Sequence, residues 1–397
     1  MRFSVVWWFL ALAISFAFYD GTVNAYNSTL LAFWYKYGLI SRGLAGTLYH
    51  GFTFFTGLEA DDYLTVLHYT QCVYLVLLVV SFLFAIALLK QVRVQYKRPV
   101  MLGLFVYEIF VFPMFSHEEN FGRLDTYLLI LTLLAFLILL KDRWLWLLVP
   151  ISFMGILFHQ GYAFMYYNFL LAALFYRMKK GDSARRRKYG AVLVISLLVC
   201  VTAFFYLELF SHGNASSYGE EIIASAEAMS EDGDYHEDVI DKEIYGIDIT
   251  DRETEYRYIA LTSLGAFLVI FSPYLMIFGR FLKGFLAGEK KEKGLYRFLA
   301  LGGLTLLPLY ILKVDYGRWT FALIMYYLLM YLWFYAVEDR GFSEYSGTFF
   351  QNIREKCSFS WMLLVALILY QPFAAIWVCT PAVRIASILN TYLFHLW

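Results

Sequence analysis

Asp20 ends an apolar run directly before Gly21-Thr22, where a partly desolvated carboxylate could take the proton of a hydroxyl group. A denser set lies in Ser116–Asp125, which reads Ser-His-Glu-Glu-Asn-Phe-Gly-Arg-Leu-Asp. His117, Glu118 and Glu119 could hold a divalent cation through carboxylate oxygens, or either glutamate could act as a second general base. Arg123 offers a planar fork suited to a phosphate, as do Arg42 in Ser41-Arg42-Gly43-Leu44 and Arg318 in Asp315-Tyr316-Gly317-Arg318-Trp319. Asp125 and Asp315 can pair with these arginines. Gly317 lets the backbone turn, and Trp319 reads as an interfacial anchor or as a stacking face for a ring. His159-Gln160, before Gly161, could line the same site. Each residue taken alone has an ordinary reading: a helix cap, a polar connection, a packed histidine. Their shared location is what raises them above it.

That location follows from the elements that carry them. The chain of 397 residues is 61 % hydrophobic and 16 % charged, with a mean hydropathy of +0.59, which excludes a soluble globular domain. Apolar runs long enough to enter a bilayer recur near residues 3–19, 66–89, 99–115, 126–140, 145–158, 161–176, 191–210, 258–280, 298–313, 320–337 and 361–379. The expected fold is therefore all-α: a single integral-membrane domain over 1–397, a polytopic bundle of about 11 spans. The run after Met1-Arg2 reads as a retained first span, because no convincing cleavage site follows it. Arg2 and the loops 90–98, 141–143, 177–188, 280–297 and 340–356 hold most of the 32 Lys and Arg residues. Basic loops stay cytoplasmic, which puts the N-terminus inside and every candidate residue on the opposite, extracytoplasmic side. Runs 145–158 and 161–176 read as a hairpin with His159-Gln160-Gly161 at its tip, since both its ends are basic.

Two outer segments are long enough for structure of their own. Residues 20–65 are aromatic and amphipathic and suit helices lying in the membrane interface after the first span. Ser211–Arg257 carries fourteen acidic and three basic residues, so residues 211–257 read as a solvated extracytoplasmic loop or lid with little apolar surface. On that reading, Ser217–Asp251 could be trimmed to a short linker without unfolding the bundle. Cys72, Cys200, Cys357 and Cys379 form no disulfide framework or metal knuckle. Asn27-Ser28-Thr29 and Asn214-Ala215-Ser216 match glycosylation sequons, a pattern common by chance.

A first span ending in Tyr19-Asp20, the juxtamembrane segment Leu30–Gly57 and short polar outer loops resemble the GT-C superfamily of integral-membrane glycosyltransferases. The pieces Ser41-Arg42-Gly43-Leu44, Gly122-Arg123-Leu124-Asp125, His159-Gln160 and Asp315-Tyr316-Gly317-Arg318-Trp319 also look like motifs of bacterial multispan proteins linked with surface polysaccharide. The resemblance implies a plasma-membrane enzyme that moves a sugar from a polyprenyl-(pyro)phosphate carrier to an acceptor glycan or glycolipid, on the extracytoplasmic face. It implies Asp20 as catalytic acid, partners drawn from membrane lipids and lipid-linked sugars, and no nucleic acid. A repeat-unit polymerase of O-antigen or capsule type stays open beside it, as does a lipid-linked oligosaccharide flippase or other transporter. A transporter should carry ionisable groups near mid-membrane and at both gates, whereas the spans hold His68, Glu108 and little else.

Overall fold

The computed structural model describes residues 21–116, 120–246, 279–284, 293–312 and 316–356. Asp20, His117, Glu118, Glu119 and Asp315 lie outside them, as do the expected spans 3–19 and 361–379 and nearly all of 258–280. Among the described residues the regular elements are helical and no strand occurs. In chain order they are α1 (Ala25–Thr29), α2 (Gly43–Thr56), α3 (Tyr63–Gln91), α4 (Lys97–Ser116), α5 (Asp125–Lys141), α6 (Leu148–Phe158), α7 (Tyr162–Met165), α8 (Tyr167–Lys180), α9 (Ser183–Ser216), α10 (Gly219–Ala228), α11 (Glu237–Ile240), α12 (Lys293–Leu301), α13 (Leu307–Leu312), α14 (Tyr316–Ala336) and α15 (Arg340–Lys356).

Among the described residues, four helical stretches are long and apolar enough to cross a membrane: Tyr63–Gln91, Val94–Ser116, Ser183–Ser216 and Arg318–Ala336. Only 28 % of the most apolar window of α3 and of α9 is buried within the protein. Their outer faces carry Leu75, Val76, Val79, Phe82 and Leu83 on α3, and Val194, Leu198, Val201, Phe205 and Leu209 on α9, all exposed. Apolar faces of that extent are stable against lipid and not against water. Within the expected span 298–313 the helical chain tightens to 3-10 geometry at Gly302–Leu306, between α12 and α13.

The chain forms two compact units, one drawn from Ser15–Ala85 and Phe115–Arg252, the other from Met1–Ile14, Ile86–Met114 and Glu253–Trp397. In the first, α6 and α8 pack along α5 and the long α9. Asp182 starts α9 by accepting the Arg185 N–H at 2.9 Å, and Asp62 starts α3 by accepting the Thr65 N–H at 3.0 Å. Phe158 at the end of α6 stacks on Tyr127 near the start of α5, while Phe169 on α8 stacks on Phe136 further along it. Tyr189 donates to Asp142 at 2.6 Å beyond the far end of α5. The chain from 145 to 180 thus rises to His159 and returns, as the hairpin reading expects.

The outer segments differ more from expectation. Leu30, Leu31, Ala32 and Phe33 are at most 2 % exposed, so this stretch is core and does not lie flat with an apolar face turned outward. Gly46 explains the tight fit: a Cβ there would lie 2.1 Å from the Phe33 carbonyl oxygen, so α2 can cross this stretch only with glycine at that point. The far end of α2 does present Phe54 and Phe55, both more than four-fifths exposed. The acidic segment is built into the unit. Ile222, Ala226, Met229, Val239, Ile240 and Ile244 are buried, and α10 packs on residues 25–32. Trimming Ser217–Asp251 would remove all six apolar side chains, so the segment belongs to the scaffold.

In the second unit, Tyr296 donates to Asp339 at 2.6 Å and Arg93 pairs with Glu338 at 2.7 Å. Residues 340–356, expected as a basic loop, form the helix α15, with Phe342 stacked on Phe334.

Candidate functional site

Arg42 occupies the residue before α2 in a left-handed conformation, φ 61°, which costs a non-glycine residue about 1 kcal/mol or more. It is held there from two sides. Ser41 donates to Gln160 Oε1 at 2.8 Å, tying this turn to the tip of the α6–α8 hairpin. Behind it, the 3-10 turns at 30–37 and α2 pack together around Gly43 and Gly46. Arg42 is 5 % exposed; its Nε lies 3.2 Å from Glu243 Oε1, and its Nη1 lies 3.5 Å from Tyr26 Oη.

Arg123 approaches the same tyrosine from the loop before α5. Its guanidinium carbon sits 4.6 Å from the Tyr26 ring centre, and the residue is 5 % exposed. The loop is fixed by Asn27, whose Nδ2 donates to the Phe121 carbonyl at 2.9 Å, and by the left-handed Gly122, φ 92°. Asp125 is buried in the first turn of α5, where the helix dipole favours a carboxylate. Two guanidinium groups from turns some eighty residues apart in sequence thus meet on one phenol. Burying each is expensive unless it is matched by an anion, an aromatic face or a ligand.

The remaining expected residues fall as follows. His159 accepts the Gly161 N–H on Nδ1 at 2.8 Å, which places the neutral ring's proton on Nε2. Gln160 is joined to the Arg42 turn through Ser41. Arg318 and Trp319 belong to the second unit. The Arg318 guanidinium lies 5.3 Å over the Trp319 ring, and both residues are 4 % exposed. The Trp319 indole is therefore packed inside the protein against Arg318 and is neither an interfacial anchor nor an open stacking face. The divalent-cation expectation fell on His117, Glu118 and Glu119, outside the described residues; among the described residues no group of three or more His, Cys, Asp or Glu could hold a metal ion. Asn27 is 1 % exposed and bonded to Phe121, so the first sequon is closed to modification in this fold.

Sequence reasoning missed Tyr26, Glu243 and His236. Glu243 sits in a π-helical turn, Asp241–Tyr245, and is 4 % exposed. Its signal was the apolar pairs Val239-Ile240 and Ile244-Tyr245, which flank the charges inside an otherwise acidic run. His236 meets Tyr26 edge-on at 5.1 Å, and its backbone N–H donates to Thr29 Oγ1 at 3.1 Å. On α2, His50 stacks on Trp34 at 4.0 Å.

Burial lowers the pKa of both histidines below the ordinary 6.5, with Arg123 adding repulsion at His236 and Lys36 at His50, while Asp238 and Asp61 act the other way. Because the folded pKa values lie below the unfolded one, the unfolded chain binds more protons in this range. Their contribution to stability is complete above about pH 6.5 and is lost as pH falls below it. Acidifying from about pH 7.5 to about pH 5.5 should lower the melting temperature of the wild-type protein. The H50Q/H236Q double variant should show a flatter profile, and an equal slope in both proteins would contradict the assignment.

No protein-family model, no curated protein and no solved structure matches this chain.

Proposed function

We propose that the chain is an integral-membrane glycosyltransferase of GT-C type. In this reading about 11 spans hold it in a bacterial plasma membrane with the N-terminus cytoplasmic, and a sugar moves from a polyprenyl-(pyro)phosphate carrier to an acceptor glycan or glycolipid on the extracytoplasmic face. The observation that carries this reading is the meeting of Arg42 and Arg123, both buried, on Tyr26. Two planar forks converging from separate turns suit the oxygens of a phosphate. Their position in the layer formed by residues 21–57, 120–125 and 219–246, at the hairpin-tip end of the unit, suits a lipid carrier whose phosphate lies at the membrane surface.

In the proposed reaction a carboxylate, Asp20 or one of Glu118 and Glu119, takes the proton of the acceptor hydroxyl. The freed oxygen attacks the anomeric carbon, the bond from that carbon to the phosphate oxygen breaks, and its electron pair stays on the phosphate. Arg42 and Arg123 stabilise that charge, which lowers the barrier more than protonating an already good leaving group would. Glu243 holds Arg42 until the donor phosphate takes its place.

The test is transfer from decaprenyl-phosphate monosaccharides carrying radiolabelled sugars, using the reconstituted protein and a panel of short glycans and glycolipids. The D20N, E118Q and E119Q variants are compared with wild type. The variant that removes the base should transfer at least about a hundredfold more slowly while still retaining donor lipid. Undiminished transfer in all three would contradict the base assignment, and no transfer by wild type from any donor would contradict the activity.

A further inference from the structure

Away from the Arg42 site, at the opposite end of the first unit, three helix ends meet. Helix α5 closes at Lys141, α8 closes at Lys180 and α9 opens at Ser183. They share one surface: Tyr189 on α9 donates to Asp142 just beyond α5, and the Met178 sulfur on α8 lies against Gly190 on α9. Lys141, Arg143, Lys179, Lys180, Arg185, Arg186, Arg187 and Lys188 are all exposed on this end. The two acids interleaved with them are already engaged. Asp142 accepts from Tyr189 at 2.6 Å, and Asp182 caps α9 by accepting the Arg185 N–H at 2.9 Å. Eight exposed cations against these two acids leave this end with a net positive charge.

Beside them lies a second, chemically different feature. Asp142 and Trp144 both adopt the left-handed conformation, φ 52° and φ 55°, in the turn between α5 and α6. This turn throws Trp144 outward, 75 % exposed, with Trp146 at 51 % and Leu147 at 46 % next to it. Indole rings of this exposure at the end of an apolar bundle settle at the headgroup level of a bilayer. Positive charge that served only to orient the chain would need neither the gathering of three helix ends nor a strained turn aimed at the interface. A belt of cations bordered by tryptophans fits one ligand chemistry: a phosphodiester headgroup whose glycerol and upper acyl carbons lie along the indoles.

We propose that this end of the first unit is a binding surface for anionic phospholipid of the surrounding bilayer, formed by Lys179, Lys180, Arg185–Lys188 and the Trp144–Trp146 turn. It is independent of the Arg42–Arg123 site and of the activity proposed for it.

The experiment is native mass spectrometry of the detergent-purified full chain, titrated separately with phosphatidylglycerol and phosphatidylcholine. Wild type should retain phosphatidylglycerol at least about tenfold better, and the preference should shrink as salt is raised before ionisation, since screening weakens contacts at exposed cations. The R185Q/R186Q/R187Q/K188Q variant should fall to the phosphatidylcholine level. Removing four charges can disturb membrane insertion, so R185K/R186K/R187K, which keeps the charge, should preserve the preference. W144L/W146L should weaken retention of phosphatidylglycerol by about threefold, reflecting the loss of interfacial anchoring. Equal retention of the two lipids by wild type, or a preference unmoved by salt, would overturn the proposal. So would loss of phosphatidylglycerol to millimolar inorganic phosphate, which would assign the surface to a soluble anion.

Discussion

Replacing Glu243 with glutamine should make the protein less stable and its grip on donor lipid tighter. The first effect follows from burial. Glu243 and Arg42 are 4 % and 5 % exposed and lie 3.2 Å apart, so removing the carboxylate takes a buried anion away from a buried guanidinium. Breaking a buried pair by taking one partner costs about 3–5 kcal/mol. The second effect follows from competition. If the Arg42 fork is the seat of a phosphate, Glu243 occupies that seat when the donor is absent, and glutamine competes for it far less well. A coupling of about 1–3 kcal/mol corresponds to donor binding at least about fivefold tighter. Thermal unfolding of E243Q together with titration of decaprenyl monophosphate reads both quantities. A structural pair with no part in binding would lower the melting temperature and leave affinity unchanged or weaker, and that outcome would remove Glu243 from the site while leaving the arginines in question. The R42Q/E243Q double variant should recover part of the lost stability, because both buried charges of the pair are then gone.

Glu243 also marks the boundary of what could be read in the chain. Long spans such as 66–89 and 191–210 were legible because apolar surface on every side has one stable environment; the helix at 63–91 follows the first closely, and the helix at 183–216 contains the second and runs on into the expected loops at both ends. The hairpin around His159 was legible from the basic residues at both its ends. Arg42 and Arg123 were legible as candidates because charge in a short outer turn is conspicuous. Their meeting on Tyr26 was not, since it depends on how the turns at 41–43 and 120–124 fold over α1. Nor could composition show that an acidic run would turn six apolar side chains inward and place one carboxylate against Arg42. The reading of that run averaged over fourteen acids, while the structure sets Glu243 against Arg42 and Glu221 against Lys36. Trp319 failed for the reverse reason: a tryptophan at a helix end is usually interfacial, but 72 % of the Arg318–Ala336 window is buried within the protein, and the indole goes with it.

If Arg42 and Arg123 together form the proposed phosphate seat for a lipid carrier, the affinity of the reconstituted protein for decaprenyl monophosphate reads it most directly. Truncating one side of a buried, charge-assisted contact costs about 2–5 kcal/mol, so R123Q should bind at least about thirtyfold more weakly than wild type. R123K should recover only part of that loss, because an ammonium keeps the charge without the two-pronged geometry. Arg42 is best tested in the E243Q background, where its removal strands no carboxylate: R42Q/E243Q should lose the tightening gained by E243Q and fall below wild type. These losses are expected in protein whose melting curve still shows a folded bundle. Wild-type affinity in both R123Q and R42Q/E243Q would contradict it.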